Sequence, residues 1–158
     1  MTAKFRPLMI ALFALPLAVQ AAGGGGGGGG SSEPADPVIA AVQAAVARKD
    51  FTEAAAAARE GLAKSPQNAD YHNLYAYAVR KGPDPNLDVA FKHYHEALRL
   101  DPKHRGAHEY IGEAYLLVGN VGKAKEHLAR LDDLCFFGCE EYSMLKKAVA
   151  DYEAKQKR

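Results

Sequence analysis

The sequence predicts an all-α protein, an α-solenoid of three helical hairpins closed by a C-terminal capping helix. Three observations predict it. One pattern of small and apolar residues is written three times, with starts 36 and 34 residues apart. Each copy is preceded by a second stretch of helical periodicity, and one further amphipathic segment follows the last copy.

The chain divides into a leader (1–21), a Gly/Ser-rich linker (22–35) and a helical domain (36–157). Lys4 and Arg6 precede an apolar run from Leu8 to Val19, and Val19-Gln20-Ala21 offers a cleavage site before Ala22. That is the layout of a secretory signal peptide. A spanning helix needs roughly 20 apolar residues, and this run is shorter and contains Pro16. The expectation is an exported chain, periplasmic or secreted, with no stable membrane insertion after cleavage. Gly23 to Gly30 is an unbroken glycine run followed by Ser31 and Ser32, the composition of a flexible tether.

Of the 20 Lys and Arg residues two lie in the leader, leaving 18 against 19 acids. Nucleic-acid binding normally needs a basic excess or patch, so a nucleic acid is not the expected partner.

In the first hairpin, Phe51, Ala54, Ala58, Gly61 and Pro66 stand at offsets 0, 3, 7, 10 and 15. The same offsets hold Leu87, Ala90, Tyr94, Ala97 and Pro102, then Val121, Ala124, Leu128 and Leu131, with Phe136 in the proline slot. Offsets of 3, 7 and 10 share one helical face. The small residues let a neighbouring helix approach, and the proline ends the helix. Ala41, Val42 and Ala45, then Tyr75, Ala76 and Val79, then Ile111, Gly112 and Tyr115 mark the preceding helices. Turns fall at Lys49-Asp50, Gly82 to Asn86 and Gly119-Asn120. Pro83 and Pro85 lengthen the middle one. Tyr142, Leu145, Val149 and Tyr152 repeat offsets 0, 3, 7 and 10 in the cap (139–157), with Glu140 and Glu141 at its start.

The run Ala107-His108-Glu109-Tyr110-Ile111-Gly112-Glu113-Ala114-Tyr115, with Gly119-Asn120-Val121 and Ala124, closely resembles the tetratricopeptide repeat (TPR). So does Ala90 with Tyr94-His95-Glu96-Ala97-Leu98 and Leu100-Asp101-Pro102. On this resemblance the repeats are 35–68, 69–104 and 105–138, the first being degenerate, with Val38 where the family usually has Trp. The resemblance implies a concave groove lined by the first helix of each repeat. It would show Ile39 and Gln43, then Asn73, Tyr77, Arg80 and Lys81, then Glu109, Glu113, Leu116 and Leu117. In this mapping Asn73 bonds an extended peptide, Tyr77 stacks on it and Arg80 meets an acid. The carboxylate clamp of chaperone-binding members uses Lys, Arg and Asn, whereas Glu109 and Glu113 occupy the third-repeat face here. Capture of a C-terminal carboxylate is therefore not the expected mode.

Cys135 and Cys139 flank Phe136-Phe137-Gly138 between the last hairpin and the cap. In an oxidising compartment a disulfide is the leading expectation. Free thiols, a redox pair with Cys139 at a helix start, and a Cu(I) or zinc site remain open alternatives. His72 and His108 fall in a slot that the family often fills with Trp, so they are expected to pack between helices rather than bind metal. His93 and His95 flank core Tyr94, and His127 lies beside Leu128. No metal site or cofactor is expected from these.

The glycine run lacks the strand and helix of a phosphate loop, and Ser65 and Ser143 have no nucleophile motif around them. The paired acids Glu109 and Glu113 read as a solvated helix face. The chain is therefore expected to catalyse nothing and to act as an adaptor for a protein or peptide. The alternative is a periplasmic metal- or thiol-redox-handling protein using Cys135 and Cys139.

Overall fold

The computed structural model describes residues 36–157. The expected leader and the Gly/Ser linker lie outside the described residues. Seven helices follow in order: α1 (Pro37–Ala47), α2 (Phe51–Lys64), α3 (Ala69–Lys81), α4 (Leu87–Leu100), α5 (Arg105–Leu117), α6 (Val121–Leu134) and α7 (Glu140–Gln156).

Local chemistry sets the starts. Asp50, Asn68, Asn86 and Asn120 each accept a hydrogen bond from the backbone N–H three residues on. His104 does the same through Nδ1. Each satisfies one of the orphan donors at a helix N-terminus, typically worth about 1 kcal/mol. Asp36 caps α1 through Oδ1 and, through Oδ2, accepts a 2.7 Å bond from the Tyr71 hydroxyl. This ties the start of the array to α3. The start of α7 has no side-chain cap; Glu140 and Glu141 meet its dipole instead.

Packing is sequential, as the repeat dictates. The first cluster joins Val42 and Ala45 to Ala54, Ala58 and Ala78 of the next unit. A second joins Ala76, Ala90 and Tyr94 to Ile111 and Ala114, and a third joins Ala124, Leu131 and Cys135 to Leu145 and Val149. Each hairpin thus buries its apolar face against the next unit, so no unit closes its core alone. The alanines bring helix axes close, and Gly112 takes this furthest: a Cβ there would lie 2.5 Å from Leu145 Cδ2. That gap seats α7 on α5 in the place of a further first helix. The matching turns of the first and third hairpins both need positive φ, supplied by Gly119 (φ 75) and, less comfortably, by Lys49 (φ 60).

Cys135 and Cys139 are joined by a disulfide with a Cα–Cα distance of 5.5 Å, and Gly138 turns the loop at φ 82. Phe136 and Phe137 in this loop are 88% and 97% exposed. Among the described residues no helix is long and apolar enough to cross a membrane.

Candidate functional site: a concave groove between three helices

The helices α3, α5 and α7 frame a groove of about 440 Å³. α3 supplies Asn73, Leu74, Tyr77 and Lys81, and α5 supplies Gly106, Glu109, Tyr110 and Glu113. α7 adds Glu140, Glu141 and Met144. Five of the expected residues (Asn73, Tyr77, Lys81, Glu109 and Glu113) share this cavity. Ile39, Gln43, Leu116 and Leu117 lie outside it. Leu116 and Leu117 border a neighbouring depression of about 300 Å³ with Arg80, Ala148 and Tyr152. A third depression, between α2 and α3, is lined largely by small side chains such as Ala55, Ala56 and Val79.

Arg80 requires a correction. Its side chain is buried, donating from Nε to the Tyr94 hydroxyl (3.2 Å) and from Nη2 to Glu113 (2.8 Å). Its guanidinium lies 5.6 Å from the Tyr77 ring centroid. A cation held this way is a strut between α3, α4 and α5, not a hand extended to a partner's acid. Burial pushes the Tyr94 hydroxyl pKa far up, so it stays neutral beside Arg80.

The opposite holds for two other groups. Asn73 is 4% exposed, and its Oδ1 has no hydrogen-bond partner. Glu109 is 7% exposed and makes no hydrogen bond or ion pair with the described residues. It is not the solvated acid expected from its helical spacing. Burial first, and then Glu113, Glu141 and Glu140, push its pKa up to about 8, with Arg80 opposing. Glu109 is therefore mostly protonated near neutral pH. Tyr77 and Tyr110 stack beside it with ring centroids 4.5 Å apart; burial and Glu109 raise the Tyr110 hydroxyl to about 12. Glu141 sits 3.6 Å from Arg105 Nε.

The histidines form a second polar system that sequence reasoning missed as such. His72 Nε2–H donates to the Pro66 carbonyl (3.0 Å), which leaves its Nδ1 to accept from His93 Nδ1–H (2.9 Å). One repeat later, His108 donates to the Pro102 carbonyl (3.1 Å) and accepts from His127 (2.9 Å). Burial lowers the pKa of His93, His108 and His127, the last to about 4 with His108 and His95 adding to the effect. His72 and His108 pack between helices as expected, but His93 and His127 are their partners rather than bystanders. A readable signal existed: both histidines of the pair recur at repeat spacing, 36 residues apart for His72 and His108 and 34 for His93 and His127. His104 closes a separate contact, with Nε2 3.1 Å from Asp70 Oδ1.

The disulfide sulfurs and a Glu141 carboxylate oxygen lie within 4.8 Å of one another.

Comparisons with known proteins agree with this architecture. The tetratricopeptide repeat family matches residues 39–85. The TPR repeat-containing thioredoxin TTL4 of Arabidopsis thaliana is 32% identical over 79 residues, covering 50% of this chain and 11% of that protein. The inactive TPR repeat-containing thioredoxin TTL3 of the same plant is 31% identical over 101 residues, covering 63% and 14%. The chain thus spans only a small part of these curated relatives. Among solved structures, the first TPR of Spaghetti (RPAP3), bound to the HSP90 peptide SRMEEVD, superposes with a TM-score of 0.63 at 19% identity, over 74% of this chain and 93% of that one. The first TPR domain of human RPAP3 gives 0.61 at 18% identity with the same coverages. At such identities the likeness is one of fold. Residues 39–85 thus match a tetratricopeptide repeat, and the described chain, three helical hairpins and a seventh helix, shares the fold of two solved TPR domains.

Proposed function

We propose that the chain is a non-catalytic protein-binding module whose α3–α5–α7 groove holds a segment of a partner protein. The observation that carries this is that Asn73, whose buried Oδ1 has no partner, and Glu109, a 7% exposed acid with no hydrogen bond or ion pair among the described residues, line one cavity beside the Tyr77–Tyr110 shelf. A buried polar group left without a partner costs about 1–3 kcal/mol, and a ligand that supplies the missing bonds recovers that cost on binding. The packed stack holds these groups in place beforehand, which lowers the ordering cost of association. The structural neighbour that holds an HSP90 peptide supports a peptide as the kind of ligand.

The test is photo-crosslinking in intact cells with the probe at Met144, which borders the groove and is half exposed. A discrete adduct that is lost in the Asn73→Ala, Glu109→Gln variant supports the reading. An unchanged adduct moves the partner site elsewhere.

The same reading places the module outside the cytoplasm, in a bacterial periplasm or a secreted fraction. The leader-like composition of residues 1–21 and the Cys135–Cys139 bond support it. Sequencing the N-terminus of the protein from its native cell checks this, with Ala22 as the expected first residue.

A second reading has one observation in its favour. The reduced Cys135 and Cys139, with Glu141 close by, would offer a soft donor set to Cu(I) or zinc. Metal titration of the reduced protein distinguishes it: stoichiometric uptake abolished by Cys135→Ser supports that reading.

A further inference from the structure

Resting on the groove reading above, we infer that the occupant is a basic segment, with a lysine or arginine side chain seated between Asn73 and Glu109. The two open groups become of one kind once Glu109 ionises. Asn73 Oδ1 can only accept, and an ionised Glu109 can only accept. Both therefore call for a donor-rich ligand atom, and ammonium and guanidinium groups carry three and five N–H donors.

The surrounding charges point the same way. Four acids edge the cavity: Glu109, Glu113, Glu140 and Glu141. Arg80 is committed to Glu113, and Arg105 lies against Glu141. Lys81, the cation that lines the groove itself, is exposed and makes no ion pair among the described residues. With every group ionised the set would carry four negative charges against the three positive ones of Arg80, Lys81 and Arg105. The empty groove avoids that imbalance by keeping a proton on Glu109. A cation entering beside Glu109 replaces that proton. The Tyr77 and Tyr110 rings and the Met144 side chain offer apolar surface for the aliphatic stem of the incoming residue. An acidic segment would find only the exposed Lys81 unpaired there and would be brought against Glu109 and Glu140, which have no ion pair among the described residues.

The exchange balances simply. The Glu109 O–H bond breaks, the proton passes to buffer, and the ligand's N–H groups donate to the carboxylate thus formed. Binding near neutral pH therefore releases about one proton per peptide, because a group with a pKa near 8 is mostly protonated there.

The experiment is calorimetric titration of the full chain with two octapeptides, one alternating arginine and serine, the other glutamate and serine. Each is run at pH 7 in buffers of different ionisation enthalpy. The expected result is preferential binding of the arginine peptide with release of about one proton. Glu109→Gln should abolish the release and weaken binding about tenfold or more, the worth of one charge-assisted hydrogen bond. Circular dichroism verifies that the variant is folded. Equal or tighter binding of the glutamate peptide overturns the inference. So does arginine-peptide binding with no proton release, or with release that survives in Glu109→Gln. Failure of both peptides to bind overturns it as well. The Met144 crosslink still decides independently whether the groove takes a partner at all.

Discussion

The paired histidines and the α3–α5–α7 groove are both polar systems held in a helical stack, and they differ in one respect. Each histidine pair is closed upon itself: a proline carbonyl fixes the first ring, and the first ring fixes the second, with the same geometry in two successive repeats. In the groove, Asn73 Oδ1 and Glu109 have no such partner. Two ring nitrogens about 3 Å apart invite a metal or proton-relay reading, yet three of the four ring nitrogens in each pair are already engaged in packing. A polar group that is buried and satisfied holds helices together, whereas one that is buried and unsatisfied calls for an explanation, which in the groove is the ligand proposed above.

Arg80 provides the largest expected break in this comparison, because it belongs to the satisfied class despite lying beside the groove. Arg80→Ala should destabilise the domain by roughly 3 kcal/mol in urea unfolding, since it strands the Tyr94 hydroxyl and a partly buried Glu113. A change below half a kcal/mol would return Arg80 to the partner-facing set. His108→Phe should cost about 1–2 kcal/mol, as the ring volume is kept but the Pro102 carbonyl and His127 N–H lose their partner. A double-mutant cycle with His127→Phe should show coupling between the two sites.

The two systems also respond to pH with opposite signs. His93, His108 and His127 have folded-state pKa values below the ordinary histidine range. The unfolded chain therefore takes up protons first on acidification, and stability falls as pH drops below about 6.5 towards the His127 value of about 4. Glu109 is raised instead, so its contribution is fully present below its ordinary value of 4.5 and is lost as pH climbs through about 8. Thermal melts across pH 4 to 9 should show Glu109→Gln gaining on the parent protein above pH 4.5, with the advantage levelling off beyond about 8. An advantage that does not change with pH would mean that Glu109 ionises normally in the fold.

The smallest expected effect lies at the left-handed turn residue of the first hairpin. Lys49→Gly should stabilise by about 1 kcal/mol, because it places there the residue that the third hairpin already uses at Gly119.

The helices were readable because the repeat writes the same packing problem three times. Ala54, Ala90 and Ala124 are all fully buried at one offset, and such recurrence overrides weak local propensity. The cap was readable for the same reason: Leu145 and Val149 are buried as their spacing requires. The groove was half readable. Asn73, Tyr77, Lys81, Glu109 and Glu113 do line one cavity, since position in a first helix fixes direction. The fate of Arg80 was not, because its partners sit 14 and 33 residues away and only the approach of α3 to α5 brings them together. Glu140, Glu141 and Met144 were missed as wall residues because the cap was read as a lid on the array. It occupies the place of another first helix.

The most direct test of the account sets the two systems against each other with the Met144 crosslinker in place. One protein carries Asn73→Ala and Glu109→Gln in the groove, and the other carries His93→Phe and His127→Phe in the paired histidines. The account predicts that the groove variant stays folded and loses the adduct, while the histidine variant melts earlier yet, below its melting temperature, captures the partner as before. Loss of capture in the histidine variant with capture intact in the groove variant would contradict it.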